Sequence, residues 1–179
     1  DPGALPLRGW QLASFLALSR RLIESRTDVV VVVLGLKNSQ PYAERIVSGL
    51  PPGRGIDATG LTNSLHELSQ ILMLGATLVT SDSGTAHLSS LLPIKGLVLF
   101  GPESPVRYGP LGKRAEVLFE GLACSPCFSA ANHRHSICRD NRCMQAIEVE
   151  EVYKRVIATL TSISEEREVY GSDSNNPHP

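Results

Sequence analysis

The sequence predicts an α/β protein built on a doubly wound parallel sheet. Three observations carry this. Strand-like apolar runs alternate with amphipathic helical segments at intervals of about 20–25 residues. Asp28–Gly35, DVVVVVLG, is a continuous β-branched run of the kind a parallel strand buried on both faces requires. Leu78–Gly101 reads as strand, tight polar turn, short helix and second strand, with the turn at the strand's carboxyl end, where open α/β sheets hold their ligands.

Composition narrows the class. The 179 residues suit one domain with a real core, and 42% apolar with 20% charged residues is ordinary for a globular chain. A net charge of −1 provides no basic field, which excludes nucleic acid as an expected partner. No apolar run approaches the roughly 18 residues of a membrane span, and no signal peptide opens the chain. The start at Asp1-Pro2-Gly3-Ala4, without methionine, reads as a piece of a longer protein.

In chain order, Asp1–Gly9 is a turn-rich loop of prolines and glycines. Gln11–Glu24 is an amphipathic helix with Leu12, Phe15, Leu16, Ser19, Leu22 and Ile23 on one face. After the Asp28–Gly35 strand, Leu36–Pro41 leads into a helix whose buried face is Tyr42, Ile46, Val47 and Leu50. Pro51–Gly53 is a turn and Ile56–Thr59 a short strand. Ser64 and Glu67 fit a capping box, Ser64 taking the N3 amide and Glu67 reaching back to Ser64, ahead of a helix with Leu65, Leu68, Ile71 and Leu72 on its apolar face. Leu78–Thr80 and Gly96–Phe100 are strands, with a helix over Thr85–Leu92 between them. Pro102–Gly112, containing Glu103, is a shaped loop with no regular structure. Ala115–Phe119 is the last strand. Val149–Ile163 is a final helix with Val149, Val152, Val156, Leu160 and Ile163 in one stripe. These elements make one domain, residues 1–163, and the polar segment 164–179 reads as a disordered tail.

The Ser81–Gly84 turn concentrates the chemistry. Its small residues let backbone N–H groups approach an anion, and the helix behind it adds a favourable dipole. Asp82 and Ser83 are also good N-caps, so a capped helix with no ligand is the competing reading. Ser81-Asp82-Ser83-Gly84-Thr85-Ala86-His87-Leu88, followed by Leu99-Phe100-Gly101-Pro102, resembles the signature of the bacterial heptosyltransferase family, glycosyltransferase family 9. Ser64-Leu65, then Glu67-Leu68, stands at the family's distance ahead of the turn.

The resemblance implies a great deal. Family members extend lipopolysaccharide core from a nucleotide-heptose through two Rossmann-like domains facing across a cleft, the GT-B architecture. The N-terminal domain binds the acceptor and supplies the catalytic base; the C-terminal one binds the nucleotide-sugar. Residues 1 to about 163 match the second, a Rossmann-like three-layer α/β/α domain whose first strand lies just upstream. No catalytic residue is then expected in this chain. Arg8 matches a position where the family often carries a lysine reaching the donor diphosphate; the alternative is a solvated loop arginine. Thr62 and Asn63 would meet the base. Ser83, Gly84 and Thr85 would offer amides to the diphosphate, and Asp82 would accept from sugar hydroxyls or cap the helix. His87 would reach the phosphate or sugar, or be a satisfied core histidine. The family's acidic residue near the ribose is replaced by Lys37, Asn38 and Ser39, with Glu44 further on. The implied partners are an ADP-heptose-like donor and, through the other domain, a lipopolysaccharide core acceptor. No cofactor or metal is implied, and the expected place is the cytoplasm, at most peripheral at the inner membrane. A non-catalytic Rossmann-like module binding a ligand or partner is the alternative function; an epimerase is disfavoured by the lack of a G-x-G-x-x-G loop.

Cys124, Cys127, Cys138 and Cys143 fall in one segment, with His133 and His135 between them. Their C-x2-C-x10-C-x4-C spacing admits free thiols, a disulfide or a structural zinc site. The resemblance extends here, to Cys124–Cys127 and Cys143-Met144, as a loop packed before the last helix without a required metal.

Overall fold

The computed structural model describes residues 6–173 apart from Arg134. A 3₁₀ turn, Pro6–Arg8, leads into α1 (Leu12–Ser25), β1 (Val31–Val33), a second 3₁₀ turn (Lys37–Ser39), α2 (Gln40–Val47), β2 (Gly55–Asp57), α3 (Leu65–Leu74) and β3 (Thr77–Ser81). Then follow α4 (Gly84–Ser89), β4 (Lys95–Phe100), α5 (Pro105–Tyr108), β5 (Ala115–Phe119), α6 (Arg142–Gln145) and α7 (Val149–Asp173). Strands and helices alternate as expected, and every ladder is parallel.

The core is organised by β4. Its side chains alternate between two helical layers. Leu97 and Leu99, with Leu118 of β5, pack against Leu18 and Leu22 of α1, Met144 and Ile147, and Val152 and Val156 of α7. Val98 and Phe100 face the other way, onto Ala86 of α4, with Val117 and Phe119 of β5 beside them. Val98, Leu99 and Phe100 are completely buried, each contributing about 1.5–3 kcal/mol through burial. This half of the molecule is the three-layer α/β/α arrangement.

The expected single sheet is divided into two ladders, β1–β2 and β3–β4–β5. Among the described residues no ladder hydrogen bonds join β1–β2 to β3–β4–β5. Burial follows suit. Val29, Val31 and Val33 pack on Ile23 of α1 and Ile46 of α2. Val32 and its ladder partner Ile56 are 45% and 49% exposed, and Val30 is exposed too. The Asp28–Gly35 run is therefore covered on one face, not both.

Smaller corrections have local causes. Tyr42 is exposed and Ala43 takes the buried position, because α2 presents Ala43 and Ile46 inward. Leu65 is exposed, while Leu72 of the same helix is buried. The helix after the polar turn stops at Ser89, and Pro105–Tyr108 forms a short helix inside the loop expected to be irregular, with Pro105 at its favoured first position. The last helix continues past Ile163 to Asp173, so the segment taken as a disordered tail begins as helix. Ser164 receives a hydrogen bond from Arg26 (3.1 Å), and Glu166 lies 3.7 Å from Lys95; polar residues continue a helix readily when their partners stand on the domain. Residues 1–5 of the opening loop and 174–179 of the tail lie outside the described residues.

Trp10 fastens these layers. It is buried, its indole N–H donates to the Ile147 carbonyl (3.1 Å) and its backbone N–H to Ser81 Oγ at the end of β3 (3.1 Å). Its ring meets Phe15 edge-on at 5.0 Å. Trp10→Phe keeps most of the apolar contact but leaves the buried Ile147 carbonyl without its donor. The expected loss is about 1–3 kcal/mol, read as a lower denaturation midpoint in urea.

Candidate functional site

The polar turn stands at the carboxyl end of β3. Asp82 N–H still donates to Leu99 O (3.1 Å), so the strand pairing runs one residue beyond Ser81. Ser83 caps α4: its Oγ accepts from Ala86 N–H (3.3 Å) and lies 3.2 Å from Thr80 Oγ1. Capping therefore falls to Ser83 alone, and Asp82 is released for another purpose. Gly84 is exposed, with open space where a Cβ would stand. Thr85 is half-buried behind it.

Asp82 is buried, and its partner comes from the far end of the chain. Arg8 Nη1 lies 3.1 Å from Asp82 Oδ2 and 4.0 Å from Glu103 Oε1. The carboxylate side chains are 5% and 2% exposed, and the arginine 26%. A buried carboxylate is costly unless an opposite charge accompanies it. Arg8 serves two of them. The solvated-loop alternative for Arg8 fails on this geometry.

Arg8 is itself held in place from several directions. Asn141 Nδ2 donates to the carbonyls of Leu7 (3.4 Å) and Gly9 (3.0 Å), on either side of Arg8. Asn141 has φ of 37°, a left-handed conformation that asparagine tolerates better than most residues. Trp10, two residues on, is bonded to Ser81. The backbone around Arg8 is thus tied both to the end of β3 and to the start of α6.

The cysteine segment supports the same place. Pro102 O accepts from the N–H groups of Cys127 (2.8 Å) and Phe128 (2.7 Å), and Ser125 Oγ donates to Gly101 O. A side chain on Gly101 would overlap the Met144 sulfur and come within 3.0 Å of Cys143 Sγ. The glycine after β4 and the Cys-Met pair of α6 are two halves of one close contact. All four cysteines are free thiols. Among the described residues no group of three or more histidine, cysteine or acidic side chains is placed to hold a metal ion. Burial, with smaller contributions from Cys127 and Cys138, pushes the Cys143 thiol above its ordinary value.

The remaining sequence-derived residues divide. His87 is exposed, which removes its core-histidine alternative. Thr62 and Asn63 lie in the loop after β2, and the capping box behind them forms with a change of partner. Ser64 Oγ accepts from Glu67 N–H (3.1 Å), but Glu67 reaches back to Asn63 N–H (2.7 Å), not to Ser64. The Asn63 N–H is thereby occupied. Two residues were missed from the sequence. Glu103 looked like part of a loop, although an acidic residue directly after a strand's carboxyl end was a usable signal. Asn141 carried no signal.

The family model of glycosyltransferase family 9 (heptosyltransferase) matches residues 6–137. Lipooligosaccharide heptosyltransferase 2 of Haemophilus influenzae is 28% identical over 65% of this chain and 34% of its own length. The enzyme of that name from Campylobacter jejuni is 24% identical over 87% of this chain and 48% of its own. The chain thus spans half or less of the curated relatives it matches. Among solved structures, E. coli ADP-heptose LPS heptosyltransferase II superposes with a TM-score of 0.72 at 21% identity, over 89% of this chain and 44% of that one. A glycosyltransferase family 9 structure from Veillonella parvula gives 0.71 at 22%, with the same shares. At these identities the superpositions establish the fold.

The thiols give a check on the site's support. A raised pKa means less thiolate at any given pH, so Cys143, buried as well, reacts slowly. Exposed Cys124 is expected to be alkylated by iodoacetamide first and Cys143 last at pH 8, with the order followed by peptide mass spectrometry. Early labelling of Cys143 would show that the α6 contact with Gly101 is loose.

Proposed function

Because this chain belongs to glycosyltransferase family 9 (heptosyltransferase), we propose that it is the donor-binding part of a heptosyltransferase, taking an ADP-heptose-like nucleotide-sugar for transfer to lipopolysaccharide core. The observation that carries this reading is the Arg8 guanidinium, brought from 74 positions away to the end of β3 beside the Ser83–Thr85 turn. A guanidinium has five N–H donors; a quarter of this side chain is exposed and one nitrogen meets Asp82. Donors remain for a diphosphate, whose departure in glycosyl transfer needs a fixed cation and oriented amides. Asp82 and Glu103 cannot stabilise phosphate, since like charges repel. Their part is to hold Arg8, and Asp82 can in addition accept from a sugar hydroxyl. Thr62 and the Asn63 side chain are the proposed contacts for the base, and His87 for phosphate or sugar. An acceptor-binding domain, with the base that deprotonates the acceptor, completes the reaction. No helix among the described residues is long and apolar enough to cross a membrane; we place the protein in the cytoplasm, at most peripheral at the inner membrane.

Titrating ADP into labelled protein is expected to shift the amides of Ser83–Thr85 and of residues 8–10, and to raise the melting temperature by mass action. No stabilisation at millimolar nucleotide would return the chain to the class of non-catalytic modules. Arg8→Ala removes charge-assisted contacts worth about 1.5–3 kcal/mol, so nucleotide affinity falls about tenfold or more. The same change takes the guanidinium away from buried Asp82, 3.1 Å off. Stability drops by about 2–3 kcal/mol, less than for a fully buried pair because Arg8 is partly solvated. An Arg8→Ala protein that binds ADP as well as the parent would remove the arginine from the site.

Residues 1–179 by themselves are expected to show no transfer from a nucleotide-heptose to a truncated lipopolysaccharide acceptor. A general base must lie within hydrogen-bond reach of the attacking hydroxyl, whereas Asp82 and Glu103 are buried against Arg8 and the donor would cover His87. Turnover above the buffer control would assign the base to this chain.

A further inference from the structure

The amino ends of the strands, opposite the polar turn, border a second feature, a half-open hollow. A cavity of about 400 Å³ lies there between the sheet and α7, lined by Thr77, Lys95, Lys113, Arg114, Glu116 and Arg155, with Leu97, Val156 and Thr159 completing its walls. The parallel register creates it. Thr77 stands opposite Lys95 and Gly96 opposite Ala115, so β3, β4 and β5 begin at one level. Cations at the starts of β4 and β5 therefore converge there, with Arg155 of α7. At about 3.3 Å per residue, the length of β3 puts this cavity about 16 Å from the Ser83 turn.

Four cations face one carboxylate on the wall, in a chain whose overall charge is −1. Two of them are tethered. Arg155 is bound by Glu116 and by Glu151 (2.8 Å), and Lys95 Nζ reaches Ser162 Oγ (3.2 Å) and Glu166 (3.7 Å). Arg114 donates only to the Pro93 carbonyl (3.2 Å), and neither it nor Lys113 pairs with a carboxylate among the described residues. Even with Glu151 and Glu166 counted, the surroundings stay positive. Leu97 and Val156 form a low-dielectric floor, which focuses that field into the cavity. Thr77 and Thr159 add hydroxyl groups, although the Thr77 hydroxyl already donates to Lys95 O (2.9 Å) and so offers its lone pairs. Thr159 is the neutral donor that remains.

We infer that this cavity binds a phosphate-bearing anion, held by Lys113, Arg114 and Arg155, at a site separate from the proposed donor site. Ammonium and guanidinium groups together with a hydroxyl match the several oxygens of a phosphate ester. The volume falls within the range of small-ligand sites and exceeds what bare orthophosphate fills. The phosphate can come from a soluble ester or from an anionic lipid headgroup. Exposed Lys113 and Arg114 at the rim suit both.

Two titrations separate these sources and test the site. Glycerol 3-phosphate added to labelled protein is expected to give saturable amide shifts at Thr77, Gly96, residues 113–116 and Thr159, weakening with salt. The double variant Lys113→Ala, Arg114→Ala, both exposed and therefore neutral for folding, should bind about tenfold or more weakly. Sedimentation with phosphatidylglycerol vesicles, against phosphatidylcholine controls, forms the second arm. Saturation by the soluble ester supports a free phosphate ester as ligand. Vesicle binding that the double variant loses, without saturation by the ester, supports a lipid headgroup. Shifts confined to residues 82–87, equal affinity in the double variant, or no binding in either arm overturns the inference. Arg8→Ala should leave both arms unchanged, so loss of ADP binding and loss of this site are read independently.

Discussion

Two carboxylates, Asp82 and Glu103, are buried at the carboxyl edge of the three-stranded ladder, and Arg8 is the cation that makes their burial tolerable. Without it, Asp82 at the end of β3 would lose the ion pair that compensates its burial, and breaking such a pair costs several kcal/mol. The requirement reaches well beyond three side chains. The segment before α1 must pass over the end of β3, the Asp82 turn must leave capping to Ser83, and the loop after β4 must fold back far enough to offer Glu103.

The molecule meets that requirement with apparently unrelated parts of the chain. Asn141 fixes the carbonyls on both sides of Arg8, and Trp10 ties the next turn to Ser81 and Ile147. Gly101 allows α6 to approach closely through Met144. The cysteine segment earns its place as scaffolding, its backbone bonded to Pro102. Rigid support of this kind is what a site for a highly charged ligand needs, because a preorganised cation spends no energy finding its geometry when charge arrives.

The sheet has two ends of different electrical character. At the carboxyl end one arginine stands by two acids, a field of mixed sign. At the amino end, lysines and arginines gather around Leu97 and Val156 and outnumber their counter-charges. A parallel sheet makes such a division natural, since all strand starts share one edge and all strand ends the other. The small net charge of the whole chain conceals it.

By itself the sequence determined the alternation of strands and helices, the parallel pairing and the position of the polar turn, because hydrophobic periodicity and small-residue turns are local signals. The motif around Asp82, Ser83 and Gly101-Pro102 was likewise legible, and family membership followed it. Only the tertiary structure decided which polar residue met which. Arg8 and Asp82 are 74 positions apart, and Asn141 is more than 130 from the carbonyls it binds. No periodicity records such pairings, since they depend on how the layers close. The same holds for the exposed face of Val32, in a β-branched run that promised cover on both sides. Burial is a property of neighbours, and a strand's own residues state only that they could be buried.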